Sequence, residues 1–134
     1  MECGAAGAGS GLIEEHVAAI YVVQLTAADG EYFTKVGITK TFSKSCETPF
    51  EGLATRAKGF YPYTVAACEV RVGTPSEVLE VERSMLHVLR SVKGNLYKPE
   101  VAFKGSKTEC FRLAYVKMTR LLQSHWDSRN SLMN

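Results

Sequence analysis

The chain has 134 residues, of which 46% are hydrophobic and 22% charged, and its net charge is +2. This length suits one domain around one hydrophobic core, and no apolar run approaches the roughly 20 residues of a membrane helix. The charge is uneven: residues 1–82 carry 6 Lys/Arg against 11 Asp/Glu, whereas residues 83–120 carry 9 against 2. A near-neutral domain of this kind can have one basic face, which is either merely solvated or binds phosphates or an acidic partner.

The segment Met1–Gly11 is rich in Gly, Ala and Ser, and it lacks the basic start and apolar middle of a signal peptide. We expect residues 1–18 to form a flexible leader, residues 19–126 the folded domain and residues 127–134 a tail. The missing targeting segment favours a cytoplasmic protein.

The four cysteines are widely spaced, which disfavours a zinc site and predicts free thiols. They are Cys3, Cys46, Cys68 and Cys110. Cys68 alternates with Ala66 and Val70, so we expect it to be a small core residue.

Three segments are predicted to be β-strands. Residues 19–25 (Ala-Ile-Tyr-Val-Val-Gln-Leu) and Tyr32–Ile38 flank an Asp-Gly turn at residues 29–30 and should form a hairpin. Because the first strand is almost continuously apolar, it should lie centrally in the sheet. The third strand is expected at Thr64–Val72.

Three helices are also predicted. Residues 48–51 (Thr-Pro-Phe-Glu) and 74–77 (Thr-Pro-Ser-Glu) are capping boxes that start helices ending near Lys58 and Val92. Helical spacing of apolar residues predicts a last helix at Phe111–Trp126. The predicted fold is α+β, with a small, three-stranded, largely antiparallel sheet flanked by helices.

Glu82 is the most informative position in the second helix. Val78, Met85 and Leu89 define an apolar stripe, and Glu82 projects into it. A carboxylate directed at a core must be paired, hydrogen-bonded, protonated or bound to a metal, because burying it alone is costly. Glu82 is therefore either a structural ion-pair partner or part of a functional site.

Several short motifs occur in a recognisable order. Residues 20–21 (Ile-Tyr) and 35–37 (Lys-Val-Gly) lie on the two hairpin strands, Arg56 lies on the following helix, and Glu82 on the next one. This arrangement resembles the GIY-YIG nuclease superfamily, in which a glutamate in the position of Glu82 binds the metal.

Three motifs are similar to one branch of that superfamily, the phage-type Orf DNA-binding domains. They are residues 35–39 (Lys-Val-Gly-Ile-Thr), Glu82 followed by residues 86–87 (Leu-His), and residues 108–113 (Thr-Glu-Cys-Phe-Arg-Leu). The resemblance covers about residues 19–113.

The resemblance implies a role for each matching residue. Tyr21 would orient or deprotonate the attacking water, and Arg56 would clamp the phosphate. Glu82 would hold one divalent ion, expected to be Mg²⁺, and Gly37 would let the backbone approach the phosphate. Each residue also has a structural interpretation: a strand tyrosine, a solvated helix charge, an ion-pair partner or a strand bulge.

The chain departs from the superfamily pattern at Lys35, where nucleases carry a second tyrosine. Either Lys35 takes over a proton or phosphate role, or cleavage is lost. The segment Lys40–Glu47 lengthens the gap before Arg56, and Asn95 could match a late asparagine of active members.

Three functions stay open at this point: a metal-dependent endonuclease, a DNA-binding module without turnover, and a protein-interaction domain such as a small phage-like effector. The candidate catalytic residues are Tyr21, Lys35, Arg56 and Glu82. The candidate DNA-binding residues are Gly37, Thr39, Lys93, Lys98, Lys104, Lys107 and Arg112.

Overall fold

The computed structural model describes residues 18–39 and 57–133. Its strands are β1 (Ala18–Thr26), β2 (Tyr32–Thr39), β3 (Thr64–Gly73) and β4 (Cys110–Phe111). Its helices are a 3-10 turn at Lys58–Phe60, α1 (Pro75–Ser91) and α2 (Tyr115–Met133). The helix predicted from residue 48, with Arg56, lies outside the described residues.

The strands form an antiparallel sheet in the order β3-β1-β2-β4. The predicted hairpin and the central position of β1 are confirmed. In the register of the sheet, Tyr21 of β1 lies between Gly37 of β2 and Val70 of β3. The hairpin turn ends with Gly30 at φ 99°, a conformation that glycine adopts without steric cost.

The sheet has four strands rather than three, and Phe111 belongs to the additional strand. The final helix, predicted from Phe111, begins at Tyr115 and continues to Met133 instead of ending near Trp126. Phe111 pairs with Thr34, whose hydroxyl donates to the carbonyls of Phe111 and Leu113. A two-residue strand has no periodicity of its own, so only its tertiary partner identifies it.

Helix α1 begins as predicted. The Thr74 hydroxyl accepts from the amide of Glu77, and the Glu77 carboxylate accepts from the amide of Thr74, which completes the capping box. The buried face of α1 includes Glu82, whose exposed fraction is 8%. The predicted burial of this carboxylate is confirmed.

Apolar side chains pack on both faces of the sheet. On one face, α1 and α2 cover Ile20, Val22 and Val36. On the other face, Tyr21, Val23 and Leu25 pack with aromatic side chains from β2 and from the connecting segments. These aromatic side chains are Phe33, Phe60, Tyr63, Tyr97 and Phe103.

Cys68 is exposed rather than buried, so its predicted place in the core is wrong. It lies on the edge strand β3, where Ala66 is also exposed and Val72 is 45% exposed. The alternation of side chains along β3 is real, but it cannot show which strand lies at the edge. Cys68 and Cys110 are both free thiols.

No helix in residues 18–39 and 57–133 combines the length and the apolar character needed to cross a membrane.

Candidate functional site

A pocket forms where β4 ends and leaves the edge of β2 open. β4 pairs only with Thr34 and Lys35, and the Val36 amide donates to the Glu109 carbonyl over 3.1 Å. Side chains from both faces of the sheet line this pocket. The charged and hydroxyl-bearing residues that line the pocket are Tyr21, Lys35, Glu82, Lys104 and Glu109.

Tyr21 and Gly37 pack together across the hairpin. They are direct cross-strand partners, and the Tyr21 side chain lies over Gly37. A Cβ at position 37 would lie 2.4 Å from the Tyr21 hydroxyl oxygen, which is closer than any real contact. Glycine is therefore needed here to place the tyrosine at the pocket. The Tyr21 ring also lies 6.4 Å from that of Phe60.

Lys35 forms an ion pair with Glu109. The Nζ–Oε1 distance is 2.6 Å, and the two side chains are 4% and 26% exposed, respectively. Nζ also lies 5.5 Å and 5.7 Å from the ring centres of Tyr21 and Phe60. Burial disfavours the charge, but Tyr21 and Glu109 outweigh it and raise the pKa of Lys35 above its usual 10.5. The pocket thus holds a permanent cation at neutral pH.

Glu82 reaches the pocket from the opposite face of the sheet, on α1. A carboxylate is a suitable ligand for a hard divalent cation, and Mg²⁺ is often held by one or two carboxylates together with substrate phosphates. Of the two carboxylates lining the pocket, Glu109 is engaged by Lys35. Glu82 is the pocket carboxylate that the superfamily resemblance would assign to the ion, and its chemistry fits that ion.

The segment before β4 closes one side of the pocket. Gly105 has φ 84°, and its carbonyl accepts from the amides of Thr108 and Glu109 in a tight turn. A Cβ at Gly105 would lie 2.7 Å from Oε1 of Glu109. The turn places Glu109 beside Lys35 and exposes Lys104 at the pocket.

The other predicted site residues lie away from this pocket or are not among the residues that the structure describes. Arg56 is not among the described residues. Thr39 is buried at the end of β2 and does not line the pocket. The Arg112 guanidinium lies 5.0 Å from the Tyr97 ring centre. Three of the predicted lysines have exposed side chains and do not line the pocket; they are Lys93, Lys98 and Lys107.

Asn95 has a structural position rather than a place in the pocket. Its side-chain amide donates to the Leu89 carbonyl, and its side-chain oxygen accepts from the Leu113 amide. Its own carbonyl accepts from the Arg112 amide. Asn95 thereby connects the end of α1 to the segment between β4 and α2.

Sequence reasoning missed the roles of Glu109 and Gly105. In the sequence, Glu109 stands out only as part of the motif at residues 108–113. Nothing in the sequence indicated that it pairs with Lys35, which lies 74 residues away.

A cluster of three carboxylates, from Asp29, Glu31 and Glu100, lies elsewhere, at the hairpin turn. Glu31 accepts hydrogen bonds from the hydroxyls of Tyr63 and Tyr97 and from the amide of Glu100. These bonds explain the position of Glu31 without a metal ion.

Comparisons with protein-family models, curated proteins and solved structures find no match to this chain.

Proposed function

We propose that this domain is a GIY-YIG-like, Mg²⁺-dependent endonuclease that hydrolyses DNA phosphodiesters. The observation that carries the proposal is the shared pocket of Tyr21, Lys35, Gly37 and Glu82, which come from β1, β2 and α1. A phenol, an ammonium and a carboxylate around one concavity are groups that phosphodiester hydrolysis can use.

Each side chain has a chemical role in this proposal. The Lys35 ammonium offsets the negative charge of the phosphodiester. It also offsets the further negative charge that develops on the phosphate oxygens during attack. The Tyr21 hydroxyl orients the attacking water by hydrogen bonding. Glu82 would hold Mg²⁺, which when bound supplies Lewis-acid stabilisation of the leaving oxygen.

The pocket favours hydrolysis over binding alone because of Glu82. A carboxylate repels a phosphate, so a site that only bound DNA would gain nothing from a buried one. Glu82 would hold a divalent cation, which when bound would supply a positive charge that attracts the phosphate. The replacement of the superfamily's second tyrosine by Lys35 is compatible with hydrolysis, since Lys35 contributes a cation to the same pocket.

The experiment that tests the proposal compares Glu82→Gln with the parent protein. Supercoiled plasmid is incubated with each protein, with and without Mg²⁺, and DNA affinity is measured separately in the absence of divalent cations. We expect Mg²⁺-dependent nicking by the parent to fall at least about a hundredfold in the variant, in line with the loss of a charge-stabilising catalytic group. Affinity for DNA should change little.

Glu80→Gln is the matched control, because Glu80 is an exposed residue of the same helix and does not line the pocket. It should nick plasmid like the parent. DNA binding without nicking by the parent would make the domain a DNA-binding module. Absence of binding to DNA and to RNA would instead support a protein-interaction domain.

A further inference from the structure

The Lys35 ammonium occupies an unusual place in the sheet. It lies in the middle of β2, its residue is 3% exposed, and its neighbours across the sheet are Val23 and Cys110. An ion pair in such surroundings contributes little to stability compared with apolar side chains of similar size. Folding alone therefore does not account for the charge.

Two glycines pack closely against this ammonium. A Cβ at Gly37 would lie 3.0 Å from Nζ, and a Cβ at Gly105 would lie 3.3 Å from it. Both glycines line the pocket. Gly105 also has a conformational reason to be glycine, its φ of 84°, whereas Gly37 has no positive φ. Lys35 therefore shares the pocket wall with two glycines, which have no side chains to cover it.

Glu109 fixes the direction of the ammonium. The short Nζ–Oε1 contact of 2.6 Å takes one of the three N–H donors of the lysine. Glu109 is itself fixed, because its amide donates to the Gly105 carbonyl and its carbonyl accepts from the Val36 amide. A flexible lysine is thus held in one position at the pocket wall.

We propose that Lys35 contacts a non-bridging oxygen of the bound phosphodiester and that Glu109 is the positioning residue that holds Lys35 for this contact. The inference rests on the proposed function, since it names the group in that pocket which binds the phosphate. Glu109 also neutralises Lys35 when no phosphate is bound, which keeps the cation tolerable inside the protein.

The test uses the double variant Lys35→Met/Glu109→Gln, which removes both charges and leaves neither partner alone. Such a replacement is expected to keep the fold. Affinity for a short DNA duplex is measured at several salt concentrations without Mg²⁺. Loss of one phosphate contact lowers the slope of log affinity against log salt by about one. A purely structural pair would leave the slope unchanged.

The single variant Glu109→Gln separates positioning from charge. It keeps the cation, so the salt slope should stay within experimental error of the parent's value. The Mg²⁺-dependent kcat should fall by about tenfold or more, because a loosely held group loses its alignment with the transition state. An unchanged kcat would overturn the positioning role of Glu109.

A measurement on the unmodified protein does not depend on whether a variant folds. Amide NMR signals of Gly37 and Gly105 should shift when the duplex is added, while that of Gly30, in the hairpin turn, should not. Unmoved signals at both pocket glycines, with the protein saturated, would overturn the inference. If the parent binds no DNA, the proposed function itself fails. If it binds DNA with a slope unaffected by the double variant, only the Lys35 contact fails.

Discussion

At the scale of single residues, the close approach of Tyr21 to Gly37 shapes the pocket. The backbone at Gly37 has no positive φ, so the reason for glycine there is space rather than conformation. Any Cβ would meet both the hydroxyl oxygen and Cζ of Tyr21, at 2.4 Å and 2.5 Å. The tyrosine ring and a side chain at position 37 cannot both keep their places.

We therefore expect Gly37→Ala to displace the Tyr21 ring and to reduce plasmid nicking by at least about tenfold. Displacement of a catalytic group by about 1 Å can lower the reaction rate by more than that. Its overpacking should lower the free energy of unfolding by about 1–3 kcal/mol. Nicking assays and urea denaturation measure the two effects. Gly59→Ala is the control, because Gly59 lines the same pocket and a Cβ there meets nothing within 4 Å. Equal loss of activity in both variants would contradict this explanation.

At the scale of elements, the segment between α1 and α2 depends on a few polar anchors, since its only strand is β4. Asn95 joins its two ends, as described above, and Glu31 anchors the part after Asn95 by accepting from the Tyr97 hydroxyl and the Glu100 amide. The hydrogen bond to Glu31 is also the main cause that raises the pKa of Tyr97 to about 12. The anchors keep the aromatic side chains of this segment against the sheet.

The pKa of Glu31 gives this anchor a pH dependence. Burial alone would raise that pKa, but hydrogen bonds from Tyr97, Glu100 and Tyr63 together lower it below 4.5. A carboxylate whose pKa is lower in the folded state than in the unfolded state stabilises the fold at pH values above its unfolded-state pKa. This stabilisation is lost as the pH falls through the folded-state pKa.

We expect Glu31→Gln to lower the free energy of unfolding by about 1–3 kcal/mol at pH 7, because hydrogen bonds to a charged acceptor are weakened. The difference from the parent should shrink as the pH falls below 4.5 and through the lowered pKa of the parent carboxylate, which then also becomes protonated. Urea denaturation across pH 3–7 measures it, with the exposed Glu80→Gln as control. A difference that did not vary with pH would show that the charge of Glu31 is not what anchors the segment.

At the scale of the whole molecule, basic residues concentrate in residues 83–120, although the net charge is only +2. Not all of them lie at the pocket. Lys104 lines it and Lys107 belongs to the same turn, whereas Lys93 and Lys98 are exposed in the segment after α1. Position, rather than total charge, should therefore determine how much each lysine contributes to DNA binding.

We expect Lys104→Glu/Lys107→Glu to weaken binding of a DNA duplex more than Lys93→Glu/Lys98→Glu does. Both double variants change the net charge by the same amount, so the comparison separates local contacts from the overall field. The pocket variant should lower the log–log salt slope by about one to two units. Fluorescence anisotropy at 50–300 mM salt measures the affinity and the salt slope of each double variant. Equal effects would show that only the overall charge matters.

The sequence by itself determined those features that depend on neighbouring residues. The hairpin, β3 and the capping box of α1 follow from turn chemistry, side-chain alternation and helix capping, which act over a few positions. The burial of Glu82 follows from helical periodicity in the same way. Tyr21, Lys35 and Gly37 could be chosen as candidates because motif order placed them on paired strands.

Only the tertiary structure decided what depends on distant partners. β4 exists because Phe111 pairs with Thr34, and Cys68 is exposed because β3 lies at the edge of the sheet. The Lys35–Glu109 pair joins residues that are 74 positions apart. Such contacts form when the chain closes a long loop, and no local pattern encodes which carboxylate will meet a given lysine.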